Sequence, residues 1–364
     1  MEGERRLAIL EKPELTIFLT SDIHLKNKED ETKLAQILHH ISEYEDAVFI
    51  CSGDLTEAGV ESQFSSFYKV LEENCSLPRE NILLSLGNHD VRGPSRADWS
   101  NNAKDTPSWY ENARKSYLTR NYMYSSATTN VYFSNTIKGY KFIVLNTEKS
   151  LKDSCYITDD QLEWLEKELQ SVPEGKVSFI INHQPLRDTH WRSNDLEGFG
   201  VQDEKVKRIL LKYPNVFFIS GHVHNGFGSA EIIDKPYGTM VDVPSLFHTA
   251  NGINTNGVAY KMLLYKNRAE FKAVNLLTKE EYDNYHLDVH FPLLSELYNK
   301  KQQLVHKQKD DVMFLDFCQD VFSPQYDQQQ FEITPMFSSE KQEENLFGSD
   351  YRIKVEEMKK VGVK

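Results

Sequence analysis

Short apolar runs alternate along the chain with stretches whose apolar residues recur every three or four positions. Residues 15–20, 47–52 and 82–86 are apolar runs of strand length. Between them, residues 32–44 place Leu34, Ile37, Leu38 and Ile41 on one helical face, and residues 62–74 form a second helix. This βαβαβ alternation predicts a parallel sheet with helices packed on it. The rhythm breaks over residues 91–129, a polar and aromatic stretch read as a loop and helix insertion, with Trp99, Trp109, Tyr110, Tyr117, Tyr122 and Tyr124. Residues 131–133 and 142–145 then form a hairpin around Gly139, followed by a helix over 159–169 with Thr158 as its N-cap. Further strands are predicted at 177–181, 216–219, 240–243, 258–265 and 270–273. From residue 278 Lys, Gln, Glu and Asp dominate, with helical spacing over 293–304 and 312–321. Residues 1–277 therefore read as one α/β domain and 278–364 as a C-terminal helical appendage.

Five of the strand runs end in residues that can ligate a metal. The first leads to Asp22 and His24, the second to Asp54 and the third to Asn88, His89 and Asp90. The run over 177–181 leads to His183, and that over 216–219 to His222 and His224. Ligands of open α/β sheets bind beyond the carboxyl ends of the strands, so these ends are expected to converge on one rim. Carboxylate, amide and imidazole donors without thiolate suit two borderline divalent ions. One residue separates Asp22 from His24 and His222 from His224, which lets each pair point the same way. Glycine precedes Asp54, Asn88 and His222, where a missing Cβ lets the backbone turn tightly and pass close to an ion. Singly, Asp-x-His, Gly-Asp and the lone His183 carry little weight, Gly-His-x-His is moderately specific, and Gly-Asn-His-Asp is strong by itself. Their order, each on the end of an apolar run, makes coincidence a poor account.

Composition narrows the partners. The chain has 364 residues and a formal net charge of −13, which repels nucleic-acid polymer and anionic membrane. A small anionic substrate remains compatible, because bound divalent metal reverses the field within one cleft. Cys51, Cys75, Cys155 and Cys318 form no CxxC pair and suit a reducing compartment. Neither a signal peptide nor a transmembrane span is evident, so the expected location is cytoplasmic.

The series Asp-x-His, Gly-Asp, Gly-Asn-His-Asp, His and Gly-His-x-His resembles the calcineurin-like metallophosphoesterase superfamily over roughly residues 15–275. Residues 53–59 and the Gly-Asn-His-Asp ending look like its class III cyclic-nucleotide phosphodiesterase branch. The chain lacks the Asp-Arg pair and terminal Glu of the Ser/Thr protein phosphatases, which argues against phosphoprotein substrates. The resemblance implies a four-layer α/β/β/α sandwich with two mixed sheets. It implies one ion held by Asp22, His24 and His224, a second held by Asn88, His183 and His222, and Asp54 between them. The ions would be divalent or trivalent Mn, Fe, Zn or Co. His89 would lie beside the substrate phosphate, oriented by Asp90. The expected reaction is hydrolysis of a small phosphodiester, such as a cyclic nucleotide, by metal-activated hydroxide. The alternatives are a phosphomonoesterase or nucleotide pyrophosphatase, and a non-catalytic metal-binding scaffold.

Other residues carry weaker signals. Arg92, Arg96, Arg187 and Arg192 follow motif residues closely and can contact phosphate, although each singly reads better as a solvated surface arginine. His39, His40, His286, His290 and His306 read as surface residues, and His190 and His248 as structural residues near the cleft. The aromatic insertion either walls the cleft or covers a hydrophobic edge. The appendage is a candidate homodimer interface or a lid.

Overall fold

The computed structural model describes residues 11–95, 99–102, 109–121, 124, 130–200 and 202–297. Strand β1 (Leu15–Thr20) is followed by α1 (Lys28–Ile41), β2 (Val48–Cys51), α2 (Glu61–Asn74), β3 (Ile82–Leu84), the short α3 (Asn88–Val91) and α4 (Tyr110–Asn121). Then come β4 (Phe133–Ile137), β5 (Tyr140–Val144), α5 (Asp159–Gln170), β6 (Ser178–Ile181), α6 (Asp203–Lys212) and β7 (Val216–Ser220). The chain continues through β8 (Ile232–Lys235), β9 (Gly238–Asp242), β10 (Val258–Leu264), β11 (Arg268–Asn275) and β12 (Leu287–His290).

These strands form two six-stranded mixed sheets. One has the order β12-β11-β10-β1-β2-β3 and the other β4-β5-β6-β7-β9-β8. Parallel pairing joins β1, β2 and β3 in the first sheet and β5, β6, β7 and β9 in the second. The βαβαβ reading thus accounts for half of the first sheet, and the five ligand-bearing strand ends come from two sheets, three from one and two from the other.

Successive residues of a strand point to opposite faces, and three hydrophobic cores show where those faces go. Ile17, Leu19, Val48 and Ile50 meet Phe142, Phe179, Phe217 and Ile219 between the sheets. On the outer face of the first sheet, Phe18, Phe49 and Leu84 pack on Leu34, Leu38, Phe64 and Phe67 of α1 and α2. On the outer face of the second, Ile143, Ile180 and Phe218 pack on Leu162 and Leu165 of α5 and Leu210 of α6. The result is a four-layer α/β/β/α sandwich. It explains why the central strands read as unbroken apolar runs, since both of their faces are buried.

Helix α1 begins at Lys28, four residues before the start expected from its spacing. The Asn27 side chain accepts from the amides of Glu29 and Asp30, and the acidic first turn Glu29–Glu31 complements the helix dipole. Thr158 caps α5 as expected, accepting from the Gln161 amide. In the insertion, Tyr110, Tyr117 and Tyr124 join the outer core of the first sheet, so these rings cover a hydrophobic edge. Helix α6 and strand β8 were not anticipated, although Val206, Ile209 and Leu210 of α6 recur at helical spacing and are buried. Strand β12 pairs antiparallel with β11, so the first sheet continues beyond residue 278 into the stretch read as appendage. Residues 298–364, with Cys318, His306 and most of that stretch, lie outside the described residues, as do Arg96 and Tyr122.

Phe179 is fully buried between the sheets and stacks on Phe142 and Phe217, with ring centroids 4.6 and 5.5 Å away. Phe179→Ala is expected to destabilise the fold by about 3–5 kcal/mol, measured by chemical denaturation. A loss below about 1 kcal/mol would mean that the two sheets do not share this core.

Candidate metal centre

All seven sequence-predicted ligand residues meet at one rim, at the carboxyl ends of β1, β2, β3, β6 and β7. The loops there are stitched together by main-chain bonds. The amides of Asp22 and His24 donate to the carbonyls of Gly53 and Asp54, and the Gly221 amide donates to the His183 carbonyl. A further bond crosses from one sheet to the other, from the His222 amide to Asp22 Oδ2 at 3.2 Å.

The donor atoms fall into two groups. Asn88 Oδ1, His183 Nε2 and His222 Nδ1 form a triangle with sides of 3.1, 3.2 and 3.2 Å. His224 Nε2 lies 3.2 Å from His24 Nε2 and 3.1 Å from Asp22 Oδ1. Asp54 Oδ2 stands between the groups, 3.3 Å from His24 Nε2 and 3.2 Å from His183 Nε2. Asp54 Oδ1 is engaged separately, accepting from the His89 amide at 2.9 Å. For metal–ligand bonds of about 2.1 Å, neighbouring donors of one ion lie roughly 3.0–3.4 Å apart. The first group matches that spacing, and so does the second except across His24 Nε2 and Asp22 Oδ1, which are 3.8 Å apart.

Outer contacts fix the orientation of the donors. His183 Nδ1 donates to the Ser52 carbonyl at 2.8 Å, which leaves Nε2 facing the other donors. Asn88 Nδ2 donates to the Lys152 carbonyl at 2.6 Å and so turns Oδ1 inward. Gly87 has an ordinary backbone, and its role is space: a Cβ there would lie 2.0 Å from Asp54 Oδ1. Asp22, His24, Asp54, His222 and His224 all have left-handed φ, between 47° and 73°. Such conformations cost a non-glycine residue about 1–3 kcal/mol each.

A family model described as calcineurin-like phosphoesterase matches residues 15–226, more than half of the chain. The chain belongs to the calcineurin-like phosphoesterase family. A probable glycerophosphodiester phosphodiesterase of Arcobacter nitrofigilis is 25% identical over 223 residues, covering 58% of this chain and 72% of that protein. A probable purple acid phosphatase of Arabidopsis thaliana is 22% identical over 232 residues, covering 62% of this chain and 49% of that protein. Among solved structures, purple acid phosphatase from yellow lupin (Lupinus luteus) seeds superposes with a TM-score of 0.55 at 16% identity, over 76% of this chain and 53% of that one. GAP50, the anchor in the inner membrane complex of Plasmodium, superposes with a TM-score of 0.50 at 14% identity, over 84% and 99%. The chain thus spans about half the length of the purple acid phosphatases, and the structural likenesses establish the shared fold. Family and sequence relatives together support a metal-dependent phosphoric ester hydrolase.

Calcineurin-like phosphoesterases use divalent metals, and the charges of this chain's cluster fit them. Asp22 Oδ1 and His222 Nε2 are buried without a hydrogen bond. Burial works against charge at His24 and His183, yet Asp54 and Asp22 outweigh it and push them up to about 10 and about 9. Burial also opposes ionised Asp22 and Asp54, but the surrounding imidazoles hold both below the usual carboxylate range. Burial and His183 push His222 down to about 3, so it presents a neutral ring. The site therefore stabilises positive charge between its carboxylates, supplied by protons when no cation is bound.

The remaining expected residues are placed differently. Asp90 does not orient His89. Its carboxylate accepts from the amides of Leu55, Thr56 and Gly87 and from the Thr56 hydroxyl, locking the loop after β2 to α3. His89 Nδ1 instead donates to the Glu57 carbonyl at 2.9 Å. Arg92 is not solvated: it is buried, with Nε on the Glu57 carbonyl and Nη2 3.0 Å from Glu57 Oε1. Arg192 donates to the Val223 carbonyl and to Asn225 Oδ1, which braces the turn between His222 and His224. Arg187 is exposed.

The rings of His24, His89 and His224 open onto a cleft of about 530 Å³, walled also by Lys26, Glu57 and His248. His248, read from sequence as structural, packs 4.7 Å from the His24 ring, while the His190 ring is buried away from the cleft. Trp99 stands at its edge, 5.4 Å from His89, with its indole N–H on the Leu151 carbonyl. Glu57 and Lys152 were missed as contributors. Glu57 is legible only as an acid three residues after Asp54, and Lys152 acts through a main-chain carbonyl that sequence cannot single out.

Below about pH 9 both His24 and His183 carry protons that a cation must displace. Divalent-ion affinity is therefore expected to rise with pH, by up to about tenfold per unit for each proton released, and to level off above about pH 10. Calorimetric Mn²⁺ titrations at several pH values, in buffers of different ionisation enthalpy, measure this. An affinity independent of pH, with no proton release, would contradict the charge arrangement described.

Proposed function

We propose that this protein is a dinuclear-metal phosphodiesterase that hydrolyses a small phosphate diester in the cytoplasm. The observation that carries the reading is Asp54: one carboxylate oxygen faces two separate donor groups, as a ligand shared by two ions requires. Asp22, His24 and His224 would hold one ion, and Asn88, His183 and His222 the other. When bound, such a pair supplies Lewis acidity toward the phosphoryl oxygens and lowers the pKa of water. The metal identity, Mn, Fe, Zn or Co, follows from availability and not from this donor set.

The protein's own part is to orient these donors, shape the cleft and manage the leaving group. With Nδ1 committed to the Glu57 carbonyl, His89 keeps Nε2 for a substrate beside the cluster. His89 is thereby suited to protonate the departing alcohol. A cleft of about 530 Å³ accommodates a small ester, and the −13 charge disfavours polymeric nucleic acid. No helix among the described residues is long and apolar enough to cross a membrane. A diester is favoured over a monoester because the relative matched over 72% of its length is named a phosphodiesterase.

With Mn²⁺ present, turnover of bis-nitrophenyl phosphate is expected to exceed that of nitrophenyl phosphate by at least about tenfold, or 1.4 kcal/mol in barrier. The opposite preference would make the protein a monoesterase, and inertness toward both with two ions bound would make it a scaffold.

His89→Ala is expected to keep both ions and to lose about 10²–10⁴-fold in turnover of an alkyl diester. The loss should be much smaller for a nitrophenyl leaving group, which needs no proton. Equal losses on both substrates would remove His89 from the acid role.

Asp54→Ala is expected to leave fewer than two ions per chain by elemental analysis. Full occupancy in that variant would rule out a shared ligand.

A further inference from the structure

Glu57 lies in the loop after β2, three residues beyond Asp54, and the chemistry above assigns it no part. Its carboxylate is nonetheless the meeting point of the cleft wall. Oε2 is 3.4 Å from His24 Nδ1, and Oε1 is 3.6 Å from His89 Nδ1 and 3.0 Å from Arg92 Nη2. Its carbonyl accepts from both His89 Nδ1 and Arg92 Nε, at 2.9 Å each. Its amide donates to the Leu25 carbonyl, next to His24. The loop is thus tied to the elements carrying His24 and His89 by side chain and backbone alike.

His24 directs Nε2 into the donor cluster, within 3.3 Å of Asp54 Oδ2 and 3.2 Å of His224 Nε2. A ring that ligates through Nε2 must carry its proton on Nδ1, and the carboxylate facing that nitrogen is Glu57. Such outer carboxylates fix the tautomer and orientation of a ligating imidazole and raise its basicity. Arg92, buried, holds Glu57 Oε1 through Nη2 and the Glu57 carbonyl through Nε, which ties the carboxylate to the cleft wall.

We propose that Glu57 is a positioning residue that acts through His24: its carboxylate orients the ring toward the cluster from Nδ1. The inference rests on the dinuclear reading. It goes further by making cation affinity depend on one side chain that belongs to neither donor group.

The test uses full-length protein, with Mn²⁺ binding followed by calorimetry and by electron paramagnetic resonance. Glu57→Ala is expected to weaken Mn²⁺ binding by about 10–100-fold while two sites remain. Glu57→Gln, which keeps an oxygen acceptor for His24 Nδ1, is expected to restore most of that affinity. In Zn²⁺-loaded protein, the His24 Nδ1–H nitrogen resonance should shift in Glu57→Ala and return toward wild type in Glu57→Gln. Wild-type affinity and an unshifted resonance in folded Glu57→Ala would overturn the proposal. So would three ions bound to the wild type and two to Glu57→Ala, because His24, Glu57 and His89 are close enough to hold an ion themselves. Failure of the wild type to bind two ions is a distinct result, which removes the dinuclear reading and this inference with it.

Discussion

The arrangement depends on the Asp54 carboxylate and on how its two oxygens are divided. Oδ1 accepts the His89 amide from the start of α3, so the carboxylate plane is set before anything reaches Oδ2. Oδ2 then faces His24 from the β1 loop and His183 from the β6 loop, which belong to different sheets. Asp54 therefore joins the two halves of the sandwich at the rim where their strands end. Gly87 permits this by absence, since a Cβ there would occupy the place of Oδ1.

Such a centre is unfavourable to fold by itself. Two fully buried carboxylates and five residues with left-handed backbone are gathered within one rim. The surrounding structure compensates locally. Main-chain amides neutralise the outward carboxylate oxygens, and imidazoles face the inward ones. The three hydrophobic cores hold the five strand ends rigid enough to keep the strained turns from relaxing. Strain and buried charge of this kind concentrate at functional sites, where the geometry they preserve is what the chemistry uses.

Around this centre the positioning groups have one logic. Ser52 and Lys152 offer main-chain carbonyls to His183 and Asn88, Arg192 braces the turn between His222 and His224, and Asp90 ties the Asp54 loop to α3. Glu57 and Arg92 form the corresponding support on the cleft side. The cleft is walled by Lys26, by the His248 ring and by Glu57, whose carboxylate is paired with Arg92, in a chain of strongly negative overall charge. Burial and His24 push His248 down to about 4, so its ring is neutral near pH 7. An anionic ester would therefore meet a local field unlike that of the surface as a whole.

The sequence by itself determined the central strands, their burial and the seven candidate donors on their ends. Each of these is a local property, written in an apolar run and the residue that stops it. It also carried Thr158 as a cap and the glycine before Asp54, Asn88 and His222. Only the tertiary structure decided that the five ends come from two sheets, because an apolar run records that it is buried but not against what. The tertiary structure also divided the Asp54 oxygens, moved Asp90 from His89 to the loop amides and drew Arg92 inward onto Glu57. These are contacts between residues brought together by packing, or made through carbonyls that every residue carries. Strand β12 escaped notice for the related reason that a short edge strand, largely exposed, has no burial pattern to read until its neighbour supplies the hydrogen bonds.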